Sequence, residues 1–255
     1  MEYNPFSLKD KTIVITGASS GIGKRCAIEC SKMGATIALI ARDKNNLQET
    51  IELLAPGNHF MFPFDVTDFS NIENLVKQIV SKTGLISGFI HSAGIEVLLP
   101  LAVTKPEHYN NLFNINVIAA FEFSKIISKQ KYYTVDQLSI VFMASIMSIL
   151  GEVAHTAYCS SKGALVAGTK SLALELAAKK IRVNSISPAQ ILGTKITENM
   201  LLTFSEKNQI EKLNMYPFGY GKTEDVAYAA IYLLSDAARW VTGTNLIIDG
   251  GYSAK

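Results

Sequence analysis

The sequence predicts a single α/β domain, a doubly wound, Rossmann-like parallel sheet with helices on both faces. Three observations predict it. A β-branched run, Lys11-Thr12-Ile13-Val14-Ile15, enters a glycine-rich loop and then a helical pattern. Strand-like apolar runs and helical patterns then alternate to the end of the chain, the order that builds parallel sheets. The chain has 255 residues, 48% of them hydrophobic. That suits one domain, 1–255, with a large core and no separate substrate domain.

Each element follows from its local pattern. The first strand is expected at 12–16. It runs into Thr16-Gly17-Ala18-Ser19-Ser20-Gly21-Ile22-Gly23, and a helix is expected over 21–33, stopped by Gly34. The second strand is expected at 36–41. Further strands are expected at 59–63, 85–91, 139–143, 182–187 and 245–249, with helices at 68–82, 105–131, 157–179 and 223–235 between them. The segment 193–222 breaks this rhythm and reads as irregular. Insertions at the carboxyl edge of such a sheet usually shape the ligand crevice.

Composition excludes several classes. The net charge is +2 and the lysines and arginines are scattered. Short basic spots such as Lys179-Lys180 read as solvated helix ends, so nothing points to nucleic acid. Residues 1–11 lack the basic and apolar regions of a signal peptide, and no apolar stretch is long enough to span a bilayer. A soluble, cytoplasmic protein is the default expectation. The three cysteines argue against a disulfide framework. Cys26 and Cys30, one turn apart, read as small packing residues rather than metal ligands, and no metal is expected.

Two features carry chemistry. In strand–glycine loop–helix units, glycines let the backbone turn sharply and approach a pyrophosphate, which the free N–H groups and dipole of the helix N-terminus favour. A lone glycine triplet is as well explained by a tight turn; the strand before and the helix after favour a dinucleotide. Downstream, Tyr158-Cys159-Ser160-Ser161-Lys162 places a phenol and an ammonium on one helix face. A free phenol titrates near ~10. An adjacent ammonium is expected to pull that value down, so that Tyr158 acts as a general acid or base near neutrality. Ser145 ends the strand Ile140-Val141-Phe142-Met143-Ala144, and its hydroxyl could hold a substrate oxygen as negative charge develops. Ser148 is its rival.

Gly17-x-x-x-Gly21-x-Gly23 with Tyr158-x-x-x-Lys162 resembles the short-chain dehydrogenase/reductase family. The likeness runs from the first strand to Asp249-Gly250-Gly251. It implies a catalytic set of Asn116, Ser145, Tyr158 and Lys162, with Asn116 holding a water that links the lysine to solvent. It also implies cofactor contacts from Gly17, Ser19, Ser20, Gly21, Ile22 and Gly23 in the loop, from Asp65-Val66 at the adenine, and from Ala93 and Gly94 under the cofactor. Tyr158, Lys162, Pro188, Ile191 and Thr194 are expected around the nicotinamide and its ribose.

Several positions depart from the family pattern. His91-Ser92 replaces an asparagine pair, and His91 is expected to take the first asparagine's structural role rather than act as a base. Ala189 stands where the family often has glycine, and Thr194 comes one residue late. Asp68 is expected to cap the helix that follows it, freeing Asp65 for the adenine amino group.

The family's acidic ribose-reading position holds Ala41, and Arg42 follows. A guanidinium can clamp a 2′-phosphate bidentately, which favours NADP(H). A solvated Arg42, with Asp43 on the ribose, would instead suit NAD(H). The resemblance implies hydride exchange between a carbonyl and a secondary alcohol of a small molecule, and a homotetramer or dimer through the helices 105–131 and 157–179. One narrower alternative is a β-ketoacyl-carrier-protein reductase, against which Glu175 counts, because such enzymes commonly present basic residues to an acidic carrier. A nucleotide-binding regulator without turnover is the other. The segment 193–222 carries Met200, Leu201, Leu202, Phe204, Met215, Tyr216, Phe218 and Tyr220. It is expected to be a substrate lid hinged at Gly193, Gly219 and Gly221, with Glu96, His155 and Gln190 as polar selectors.

Overall fold

A computed structural model describes residues 4–203 and 205–254, so Met1 to Tyr3, Phe204 and Lys255 lie outside the described residues. Seven strands form one parallel sheet: β1 (Thr12–Thr16), β2 (Thr36–Ala41), β3 (Phe60–Pro63), β4 (Gly88–His91), β5 (Ser139–Met143), β6 (Arg182–Pro188) and, after a short outlying pair, β9 (Asn245–Ile248). The outlying pair is β7 (Ile191–Leu192) with β8 (Gly221–Lys222). The main sheet runs β3-β2-β1-β4-β5-β6-β9, with every pairing parallel. The strand order therefore reverses between β1 and β4, and a crevice opens there at the carboxyl ends of the strands.

Both faces of the sheet are covered, which is why β1 and β5 are buried at every residue. On one face lie α1 (Gly21–Lys32), α2 (Lys44–Glu52) and α9 (Thr223–Leu234), packed over Ile13, Ile15, Ile37 and Leu39. Cys26 and Cys30 belong to this layer, fully buried and free, and burial pushes the Cys26 thiol up to about 12. They are inert packing residues, as expected. On the other face lie α3 (Ile72–Thr83), α5 (Ala119–Ile127) and α6 (Thr156–Leu176), over Val14, Ile40, Phe89 and Phe142.

The expected helix 105–131 is three pieces: α4 (Pro106–Phe113), a π-helical turn at Asn114–Ile118, and α5, which stops at Ile127. The segment 193–222 is not irregular. It holds α7 (Lys195–Thr203) and α8 (Glu206–Leu213) between β7 and β8. No residue of α8 is buried, and its apolar pair, Ile210 and Leu213, faces solvent. No described helix is long and apolar enough to cross a membrane.

Candidate active site

The glycine loop between β1 and α1 shapes one wall of the crevice. Gly17 has φ +67° and lies so close to the chain after β4 that a Cβ would come within 2.6 Å of Ala93 N. Gly23 lets α1 pack onto the loop, since a Cβ there would meet Gly17 O at 2.3 Å. Ser20 occupies the N-cap of α1 without a side-chain cap bond, so the side chain leaves the first-turn N–H groups available to an anion. Ser19, Ser20, Gly21 and Ile22 line a cavity of about 480 Å³ with Arg42, Asp65, Val66, Ala93, Gly94, Tyr158, Lys162, Pro188 and Thr194. The size, the uncapped helix start and the exposed guanidinium fit a dinucleotide. Asn46 and Lys195 also line it and escaped the sequence reading. Lys195 opens α7 beside the predicted contact Thr194, and Asn46 lies in the first turn of α2, four residues after Arg42; those places are the signal that could have found them.

Three expected contacts stand differently from the sequence reading. Asp65 is not free: Thr67 donates to its Oδ1 from the backbone N (2.9 Å) and from Oγ1 (2.7 Å). These bonds, backbone and side chain together, hold its carboxyl below the ordinary range, and Arg42 adds to the effect. Asp68 instead accepts from the Ser70 and Asn71 side chains. His91 lies beneath the crevice floor at 1% exposure rather than lining it. A carbonyl only accepts, so His91 Nε2–H donates to Ile115 O (3.0 Å), leaving Nδ1 to accept from Thr16 Oγ1 (3.0 Å). Burial pushes its pKa down to about 3, so it ties strand ends together and is no base. Ile191 lines the neighbouring cavity instead.

Asp43 caps α2, accepting from Asn46 N at 3.0 Å. The acid that could have read a ribose is thus partly committed, while the exposed Arg42 lines the crevice.

Tyr158 and Lys162 sit on α6 at 6% exposure each. Lys162 Nζ donates to Met143 O at 2.8 Å, and stands 5.7 Å from the Tyr158 ring centroid. Burial pushes the Tyr158 phenol well above its ordinary value; the Glu96 carboxylate adds to this and a hydrogen bond with Ser145 opposes it. Burial likewise pushes Lys162 down to about 8. The expectation that the ammonium lowers the phenol is therefore not met in this state. Lost solvation outweighs a charge that is directed at a backbone carbonyl. Ser145 Oγ also accepts from Met147 N (3.2 Å), whereas Ser148 is engaged with Ser187 (3.2 Å). The rival serine is thus turned to a neighbour.

The π turn brings Asn116 wholly inside. Its Nδ2 donates to Ile95 O (3.0 Å) and Ser161 Oγ (3.1 Å), and its Oδ1 accepts from Ile95 N (2.9 Å). Both amide hydrogens are used. Gly94 leaves a gap bordered by Asn116 Oδ1 and Lys162 Nζ, where a Cβ would lie 3.3 and 3.4 Å from them.

A second cavity, about 510 Å³, adjoins the first and shares Tyr158, Pro188 and Thr194 with it. Ser145, Glu96, His155 and Gln190 line it, with Glu152 and Lys212, which the sequence reading missed. Thr194 Oγ1 donates to Ile191 O at 2.9 Å and so closes the turn between β7 and α7.

The two cavities meet at Tyr158, so its phenol stands where a dinucleotide and a small molecule would come together. Fold and site define the class, an NAD(P)-dependent oxidoreductase. The chain belongs to the short-chain dehydrogenase/reductase family. A family model described as Enoyl-(Acyl carrier protein) reductase matches residues 17–253. The NAD-dependent glycerol dehydrogenase of Listeria innocua is 36% identical, over 98% of this chain and 96% of that protein. The 3-oxoacyl-[acyl-carrier-protein] reductase FabG of Thermotoga maritima is 33% identical, over 96% and 98%. A structure from Agrobacterium tumefaciens with bound NADP, assigned provisionally as a 2-deoxy-d-gluconate 3-dehydrogenase, superposes with a TM-score of 0.88 at 28% identity, covering 99% of this chain and 100% of that one.

Proposed function

We propose that this enzyme interconverts a carbonyl and a secondary alcohol on a small molecule, with NADP(H) as the preferred cofactor. The observation that carries the reading is the buried Tyr158, hydrogen-bonded to Ser145 and beside Lys162, at the junction of the two cavities. A bound nicotinamide supplies or accepts the hydride. The glycine loop and the start of α1 hold its pyrophosphate, and Arg42 holds the 2′-phosphate. Ser145 donates to the substrate oxygen. Tyr158, kept protonated by burial, passes its proton to that oxygen in reduction and takes one back in oxidation. Lys162 binds the ribose and returns a proton to the phenol, and is itself refilled from solvent through a water that Asn116 Oδ1 holds in the Gly94 gap. Asn116 also positions the loop at Ile95 through its amide.

Cofactor oxidation followed spectroscopically over a panel of ketones, with NADPH and NADH in parallel, tests this reading. No turnover with either cofactor would leave a nucleotide-binding regulator. In the same assay, Arg42→Ala is expected to cut the preference for NADPH over NADH by roughly ten- to a hundredfold, the worth of a charge-assisted bond. Equal losses with both cofactors would remove Arg42 from phosphate recognition.

The segment 193–222 serves as a lid. Gly193 and Gly219 have φ +78° and +72° and serve as its hinges, and α8 buries no residue, so the segment is held by a few contacts such as Lys212 on Glu152 and Tyr216 on Tyr252 rather than by a core. Leu202 and Phe218 are 85% and 88% exposed. Hydrogen exchange across 193–222 is expected to slow on adding NADP⁺. Strong protection without ligand, unchanged by its addition, would make the segment a subunit interface instead. Leu174 on α6, 80% exposed, fits burial between subunits of a homodimer or tetramer.

A further inference from the structure

Beside Tyr158, the second cavity holds a compact group of opposed charges. His155 packs edge-on to the Tyr158 ring, with centroids 6.4 Å apart. Its Nδ1 lies 2.9 Å from Val153 O and must donate, because a carbonyl only accepts. Nε2 is then the atom turned toward the carboxylates, 3.5 Å from Glu96 Oε1 and 4.0 Å from Glu152 Oε2. That arrangement favours the imidazolium, and the Glu96 contact raises the pKa of His155 above its ordinary value. Lys212 on α8 in turn meets Glu152 at 3.0 Å. Two carboxylates face two cations, so the group is close to neutral. The side chains of His155 and Glu96 retain only 12% and 17% exposure.

We propose that Glu96 and His155 form a hydroxyl-recognising pair, so that the cavity takes a small neutral polyol or hydroxyketone, oriented by a hydroxyl next to the reacting carbon. This rests on the carbonyl–alcohol reading above. A carboxylate accepts and an imidazolium donates, and a hydroxyl can do both at once. The 3.5 Å separation is longer than a good hydrogen bond between the two, so a hydroxyl can replace it without loss. An apolar ketone or an acyl chain would bury the same pair with nothing in return. An anionic substrate would face Glu96 and Glu152, and a cationic one Lys212 and His155. The balanced charge rewards neither.

The test compares butane-2,3-diol with butan-2-ol, which differ by the neighbouring hydroxyl, using NADP⁺ and NAD⁺. The wild-type kcat/KM is expected to favour the diol by about ten- to a hundredfold, the effect of hydrogen bonds to charged groups. Glu96→Gln and His155→Gln should each bring that ratio toward one. A merely structural role would lower both substrates together and leave the ratio alone. A wild-type ratio near one, or a ratio unchanged in both variants, overturns the proposal while the oxidoreductase reading stands. Absence of turnover on any alcohol or ketone, with either cofactor, overturns both.

Discussion

Replacing Tyr158 with phenylalanine lowers turnover by about a hundredfold or more, the usual worth of a positioned general acid. The ring that fills the site at 6% exposure is kept, so the fold and cofactor affinity stay close to wild type. Only the phenol oxygen and its bond with Ser145 are lost. Because burial holds the phenol protonated, the wild-type enzyme reaches neutral pH with its proton in place for reduction. Steady-state kcat and a fluorescence titration of NADPH check both halves of the expectation. Near-normal kcat in the variant would remove Tyr158 from the chemistry.

Gly23→Ala is expected to have the second large effect, through the cradle rather than the chemistry. The added Cβ would stand 2.3 Å from Gly17 O and 2.8 Å from Gly17 C. Both are backbone atoms, with no flexible side chain to swing aside. Either α1 retreats from the loop or the loop opens, and the N–H groups that face the pyrophosphate move with it. Overpacking of this kind costs about 1–3 kcal/mol, so cofactor affinity should fall roughly five- to a hundredfold. The thermal midpoint should fall as well. Calorimetric titration with NADP⁺ and a melting curve measure the two, and wild-type values for both would show that the crevice does not depend on this contact.

The strands written as unbroken apolar runs were readable residue by residue. β1, β2 and β5 begin and end where the sequence places them, because their interiors are buried on both faces and wholly apolar, with the polar residues Thr12, Thr16, Thr36 and Ser139 only at strand ends. β4 begins three residues later than its apolar run. Ile86 turns instead to a lone bridge with Tyr133, so apolarity there reports burial and not ladder pairing. α1 and α9 were readable to within a residue, whereas α3 begins four residues after its expected start, α6 ends three before its expected end, and α2 was not among the expected helices. The helices of 193–222 were not readable; α7 and α8 are short, with nine and eight residues, and α8 buries none of its own.

The sequence by itself determined the doubly wound sheet, the glycine cradle and the Tyr158–Lys162 pair, because backbone freedom and residue spacing are local properties. Tertiary structure alone decided what surrounds them. It sank His91 beneath the crevice, turned Asn116 inward on a π turn, and raised the Tyr158 phenol where an ammonium neighbour predicted a fall. It also brought Glu96 and Lys212 to the Glu152–His155 stretch from distant parts of the chain. Hydrogen-bond partners and desolvation depend on which distant segments come to lie against a residue, and no spacing within the chain encodes that.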